Sequence, residues 1–119
     1  MTFKFLELKG KSGEIYFADA YPLQEYEVQK FPVVYVLTRI LESGKHRAVF
    51  VKSANNKEHL EFIKSNTMSS YIDLSGATHI AFLNQYDDID FVESDIRNYY
   101  YDILPLDIFK QIIQDFQKE

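Results

Sequence analysis

The alternation of hydrophobic and polar positions is clearest between Val33 and Leu60. Val33-Val-Tyr-Val-Leu-Thr-Arg39 is followed by a polar break at Glu42-Ser-Gly-Lys45 and then by His46-Arg-Ala-Val-Phe-Val51. Both runs are short, rich in Val and carry an aromatic, Tyr35 and Phe50, which suits a pleated surface buried on at least one side. Gly44 can take the positive φ of a tight turn, so Val33–Arg39 and Arg47–Val51 are expected to be adjacent antiparallel strands. Ser53 or Asn55 is expected to cap the helix that follows, since a short side-chain oxygen satisfies free backbone N–H groups there. From Asn56 to about Ser65, Leu60 and Ile63 fall on one side and Lys57, Glu61 and Lys64 mostly on others, the pattern of an amphipathic helix.

Upstream, Phe3–Leu8 and Glu14–Ala18 flank the turn residues Gly10-Lys-Ser-Gly13 and read as an N-terminal hairpin. Asp19–Lys30 is polar, contains Tyr, is punctuated by Pro22 and has room for a short helix. Pro32 holds Phe31 extended and opens the central strand. Downstream, Asn66–Ser70 reads as a polar break and Tyr71–Leu74 as a short helical turn stopped at Gly76. Thr78–Leu83 reads as a third central strand. Asp87-Asp88 then caps a helix with Ile89, Val92, Ile96, Tyr99 or Tyr100, and Ile103 at helical spacing. Pro105 opens a last helix, where a proline costs nothing, with Leu106, Phe109, Ile112, Ile113 and Phe116 as its buried stripe. The whole pattern is a single α+β domain, residues 1–119, with a small mixed or antiparallel sheet and helices packed on it.

Composition narrows the picture. With 46% apolar residues in 119, the chain can bury one real core. Ten Phe, nine Tyr and no Trp suggest a core filled by large rings, with some Tyr hydroxyls reaching the surface. The absence of Cys excludes disulfides and thiolate metal sites and fits a cytoplasmic chain. Charges run through the N-terminal apolar stretch, unlike a signal peptide, and no apolar run is long enough to cross a bilayer.

The net charge of −5 is unevenly spread: ten Lys/Arg face eight Asp/Glu in residues 1–66, and three face ten in residues 67–119. An acidic chain is a poor non-specific ligand for nucleic acid, because neutralised phosphates supply most of that affinity. Arg39, Lys45, His46, Arg47, Lys52 and Lys57 could form one basic face, or could be solvated charges around a hairpin. His46, His59 and His79 lack the spacing of a metal site. Asp87, Asp88, Asp90, Glu93 and Asp95 could attract a divalent cation, but they lack the glycine and ligand order of a calcium loop and read as a solvated helix start. Tyr35 reads as a half-buried strand aromatic, and Glu93 as an exposed carboxylate near the helix N-terminus.

From Val33 onward, the strand–strand–helix–helix–strand–helix order resembles the GIY-YIG nuclease superfamily. Val33-Val-Tyr35 stands where that family has Gly-Ile-Tyr, and Phe50-Val-Lys52 where it has Tyr-Ile-Gly. Ser53-Ala-Asn-Asn-Lys-Glu-His-Leu60 resembles the polar loop and helix start that carries the family's Arg. Glu93-Ser-Asp-Ile-Arg-Asn-Tyr-Tyr100 resembles the helix with its metal-binding Glu. The resemblance covers about residues 31–105 and leaves the N-terminal hairpin and C-terminal helix unmatched. It implies a metal-dependent endonuclease using Tyr35, Lys52, His59 and Glu93, with Mg²⁺ or Mn²⁺ held at Glu93.

The departures bear on that chemistry. Phe50 has no hydroxyl, Lys52 puts a long side chain where glycine lets backbone approach, and His59 or Leu60 stands in place of the Arg. Histidine cannot grip a phosphate with two parallel hydrogen bonds as arginine does. The reading that follows is a degenerate GIY-YIG-like domain without catalysis, binding a protein partner or a second copy of itself rather than nucleic acid or membrane. The alternatives are a divergent GIY-YIG endonuclease, and a small acidic inhibitor or defence-system protein suggested by size and charge.

Loss of one electrostatic donor can cost two to three orders of magnitude in phosphodiester cleavage. The expected outcome is no cutting of single- or double-stranded DNA or RNA with Mg²⁺ or Mn²⁺. Metal-dependent cutting that a Tyr35→Phe, Glu93→Gln double variant loses would overturn this.

Overall fold

The computed structural model describes residues 4–24, 26, 30–84, 86–100, 103, 111 and 114. The hairpin at the N-terminus forms as the turn residues require: β1 (Lys4–Lys9) and β2 (Ile15–Pro22) pair antiparallel, with Leu8 opposite Tyr16 and Leu6 opposite Ala18. Gly13 takes φ 98° in the turn. β2 runs beyond the expected Ala18, and Asp19–Pro22, given room above for a helix, are instead paired with a later strand. That pairing satisfies four residues of backbone that a polar local sequence did not mark as strand.

β3 (Val33–Ile40) and β4 (His46–Ala54) are the expected antiparallel pair. β4 continues through Ser53, so neither Ser53 nor Asn55 caps the next helix. Asn56 does, its side-chain oxygen accepting from His59 N–H at 3.0 Å. The register shifts between Leu37, opposite Phe50, and Thr38, opposite Ala48, which leaves Val49 as a bulge. Val49 and Phe50 consequently join one core cluster while Ala48 and Val51 join the other.

α1 (Lys57–Leu60) tightens into a 3₁₀ turn at Glu61–Lys64, with Leu60 and Ile63 buried as their spacing predicts. The expected break at Asn66–Ser70 is helical. Ser65 caps Met68 N–H, and α2 (Asn66–Ser75) runs to Gly76, where a left-handed φ of 73° ends it. Met68, fully buried, is the packing reason that this polar stretch folds as helix. β5 (His79–Leu83) follows, and then α3 (Ile89–Arg97), whose N-cap is Asp88 accepting from Phe91 N–H at 3.1 Å. The expected helix from Pro105, with its apolar stripe, lies outside the described residues.

The five strands make one antiparallel sheet in the order β1-β2-β5-β3-β4. β3 is flanked by β5 and β4 and buries six consecutive residues, Val33 to Thr38. Its alternate side chains divide between two cores. Val34 and Val36 join Leu6, Leu8, Tyr16 and Ala81 beneath Ile89, Val92 and Ile96 of α3. Val33, Tyr35 and Leu37 join Phe50, Ile80 and Leu83's neighbour Phe82 beneath Leu60, Ile63 and Met68. Ile103, placed on the α3 stripe by its spacing, is buried in the first core although α3 ends at Arg97. No helix among the described residues is long and apolar enough to cross a membrane.

Asp95 ties α3 to the tip of the first hairpin. Its carboxylate accepts from Ser12 N–H at 2.8 Å, Ser12 Oγ at 2.6 Å and Tyr16 OH at 2.7 Å, and its carbonyl accepts from Lys11 N–H at 3.0 Å. Gly10 lies directly beneath, where a Cβ would collide with that carboxylate. The sequence placed Asp95 in a solvated acidic cluster; it is buried. Burial pushes its pKa up, but the hydrogen bonds from Ser12 and Tyr16 outweigh this and hold it below its ordinary value.

A carboxylate with a depressed folded-state pKa contributes stability above its unfolded pKa and loses it as pH falls through the folded value. Asp95 therefore adds stability at neutral pH that fades as pH drops below about 4. Asp95→Asn should flatten the acid limb of the stability–pH curve in denaturant titrations. Asp95→Ala should cost about 2–4 kcal/mol, since it leaves the buried Tyr16 hydroxyl without its acceptor. Gly10→Ala should destabilise in the same direction by displacing the carboxylate.

Candidate functional site

The four residues that the resemblance singled out occupy distinct environments. Tyr35 is in mid-β3, fully buried in the second core, its ring 6.2 Å from that of Phe50. Its hydroxyl has no hydrogen-bond partner among the described residues. Burial first, and the negative charge of Glu93 second, push its pKa well above the ordinary phenol value. A phenol so placed stays protonated at neutral pH and is sealed from a solvent-borne substrate. Lys52 lies directly across from Tyr35 in the β3–β4 register and is half-buried. His59 is exposed on α1, where its Nδ1 accepts from Asn55 N–H at 3.2 Å, so the ring belongs to the helix-start arrangement.

Glu93 stands at the edge of the sheet. One carboxylate oxygen accepts from the backbone N–H of Ser53, and the other pairs with Arg97 Nη1 at 3.0 Å. The carboxylate was expected to be exposed; both its oxygens are taken by protein donors. Arg97 in turn donates from Nη2 to the carbonyl of Val51 at 2.9 Å. A third side chain, Tyr71 of α2, donates its hydroxyl to the Val49 carbonyl.

These three contacts have one physical explanation. β4 is an outer strand, and Val49, Val51 and Ser53 are the positions whose backbone groups reach outward rather than to β3. An unpaired row of amides and carbonyls is a template for another chain. The Glu93–Arg97 pair sits where a neighbouring strand would offer its own carbonyl and amide, and Tyr71 extends the seal by one position. Glu93 preceding Arg97 by four residues is the favourable order on a helix. The i,i+4 spacing puts Glu93 and Arg97 on one helix face, but spacing does not show that this face meets a strand edge.

A divalent metal fits this arrangement poorly. Among the described residues no three His, Asp or Glu side chains gather as a cation site. Glu93 would have to surrender Ser53 and Arg97 to become a ligand. The basic group is also dispersed: Lys45, His46 and Arg47 stay together, whereas Arg39 lies against Gly76, Lys52 faces Tyr35 and Lys57 opens α1. His79 and His46 meet ring to ring at 4.7 Å, with their Nδ1 atoms on Thr78 Oγ1 and Thr38 Oγ1.

The two edges of the sheet differ. In β1, pairing with β2 leaves Phe5, Glu7 and Lys9 with outward backbone groups, and among the described residues only Lys9 N–H is met there, by Tyr100 OH at 2.8 Å. Their side chains share a face with Ile15, Phe17 and Asp19 of β2. Among the described residues, α1 and α2 pack on the β3–β4–β5 half of that face and none of their side chains joins the hairpin half. Phe5 is 61% exposed and Phe17 41%, their rings stacked at 5.5 Å. A small cleft of about 120 Å³ opens beside them, bounded by Asp19, Phe82 and Asn84. Compared with family models, with curated proteins and with solved structures, the chain matches none.

The edge seal predicts two linked outcomes. Glu93→Ala or Arg97→Ala should destabilise by about 1–3 kcal/mol, because a half-buried amide or carbonyl loses its partner. The double variant should also self-associate with rising concentration, measured by sedimentation velocity, as the β4 edge becomes available.

Proposed function

We propose that the chain is a non-catalytic protein-interaction domain with a GIY-YIG-like core, and that it takes an extended strand of a partner protein along β1. The observation that carries this reading is the asymmetry of the sheet among the described residues: β4 is closed by Tyr71, Arg97 and Glu93, whereas the outward backbone groups of Phe5 and Glu7 of β1 meet no described partner, beside the exposed rings of Phe5 and Phe17. An added strand would bond to those groups and lay alternate side chains over Phe5 and Phe17, with the neighbouring cleft as a socket for one of them. Main-chain pairing supplies affinity in such complexes and the side-chain sockets supply selectivity.

The element order from β3 to α3 supports the GIY-YIG-like part of the reading. The burial of Tyr35 and the engagement of both Glu93 oxygens favour a binding domain over the endonuclease alternative.

Glu7→Pro tests the proposal. The Glu7 N–H faces away from β2, so proline removes a docking donor without removing a bond of the hairpin. A photo-crosslinking phenylalanine analogue placed at Phe5 should give one discrete protein adduct in cells that express the chain. Glu7→Pro should abolish that adduct, and the same analogue at exposed Leu74 of α2 should give none. Adducts at Leu74 alone, or adducts at Phe5 indifferent to Glu7→Pro, would overturn the reading. An adduct of twice the chain's own mass would replace the partner by a second copy.

A further inference from the structure

The strand register lines up a row of side chains on the face that holds the second core. Phe5 of β1 lies opposite Asp19 of β2, Asp19 opposite Phe82 of β5, and Phe82 opposite Tyr35 of β3. Tyr35 and Phe82 belong to the core, but Asp19 is exposed, flanked across the strands by two phenyl rings. Asp is disfavoured in strands, and among the described residues no cation or donor meets this carboxylate to offset that.

Asp19 lines the cleft of about 120 Å³ together with Phe5, Phe17, Phe82 and Asn84. Small-molecule pockets start at about 300 Å³, so this cleft suits one side chain rather than a free ligand. Its walls are positioned by their neighbours. Phe5 and Phe17 stack with their planes 16° apart, and Phe82 packs against the rings of Tyr21 and Tyr26 at 6.3 and 5.7 Å. Glu7, opposite Phe17, puts a second carboxylate beside the stack, whereas Lys9, opposite Ile15, lies two residues further along β1.

We infer that the partner strand taken along β1 presents an arginine that crosses Phe5 and enters this cleft to pair with Asp19. The inference rests on the docking reading above and names the side chain that gives it selectivity. Neighbouring strands lie about 4.8 Å apart, so Asp19 on β2 is about 10 Å from a strand added outside β1. Only a long side chain spans that distance, and its path runs over aromatic carbon. Arg and Lys both combine an apolar stem with a charged head. Arg adds a planar head that stacks on rings and meets a carboxylate with two parallel hydrogen bonds. Asn84 brings a side-chain carbonyl to the same cleft for a remaining N–H. An apolar side chain there would cover the Asp19 carboxylate without pairing it, so the cleft discriminates by charge.

Selection of phage-displayed random nine-residue peptides on the immobilised full chain tests this, followed by fluorescence anisotropy with a selected peptide. Peptides whose binding is lost with Glu7→Pro are expected to share an arginine at one position. Replacing that arginine by citrulline, which keeps its shape and removes its charge, should weaken binding about tenfold. Asp19→Asn should weaken the parent peptide by a similar factor and cost the citrulline peptide little more, because both changes delete one interaction. Circular dichroism checks folding, and Asp19→Thr serves as a second variant should Asp19→Asn unfold. Glu7→Pro-sensitive peptides without a shared arginine, or with one indifferent to Asp19→Asn, would overturn the inference and leave docking along β1 standing. A shared lysine in its place would overturn it in favour of a plain ammonium. Absence of binding peptides, or binding indifferent to Glu7→Pro, would overturn the docking reading and this inference with it.

Discussion

A nine-residue helix, α3, is the strap on which the two ends of this sheet depend. Its apolar stripe, Ile89, Val92 and Ile96, lies over the first core. At 100° per residue, Asp95 falls to one side of Ile96 and Arg97 to the other. Asp95 thus reaches the β1–β2 turn while Arg97, with Glu93 one turn back, reaches the outer edge of β4. Three alternate charged residues on a short amphipathic helix therefore do separate mechanical work. Each is bonded to backbone or hydroxyl groups 40 or more residues away in sequence, except for the local Glu93–Arg97 pair.

That arrangement changes the meaning of the residues that resemble a nuclease. A catalytic carboxylate must be available to a metal or a substrate, and Glu93 spends both oxygens on holding a strand edge. A catalytic phenol must be able to exchange its proton, and Tyr35 is enclosed by the opposite core, where burial favours the neutral form. The bulge at Val49 links these facts: by turning both Val49 and Phe50 to Tyr35's face, it packs Phe50 against Tyr35 and Tyr71. The Val49 carbonyl is left to be met by Tyr71. Packing and edge protection use the same side chains that a hydrolytic site would need free.

The sheet's asymmetry follows from where the helices fall. One face of all five strands is served by α3 and its flanking residues; among the described residues, the other is covered by α1, α2 and, from the β2–β3 segment, Leu23, Tyr26 and Phe31. Closing β4 takes side chains from both helical layers. The aromatic pair Phe5–Phe17 remains on the hairpin half, where stacking of the two rings lowers their exposed area without removing it.

Much of the local structure was legible in the sequence because short-range physics decides it. The Val-rich runs around Gly44, the hairpin around Gly10–Gly13, the stop at Gly76 and the cap at Asp88 each follow from propensity, positive φ or a nearby donor. The α+β class and the antiparallel β3–β4 pair followed from the order of these elements. Asp19–Pro22 as strand and Asn66–Ser70 as helix did not, because distant partners, β5 and the second core, override weak local preference. Above all, the roles of Glu93, Asp95 and Arg97 were decided by tertiary structure alone. Periodicity states which side chains share a helix face, but a charged residue's function depends on the backbone that face meets, and that meeting is made only when the sheet is assembled.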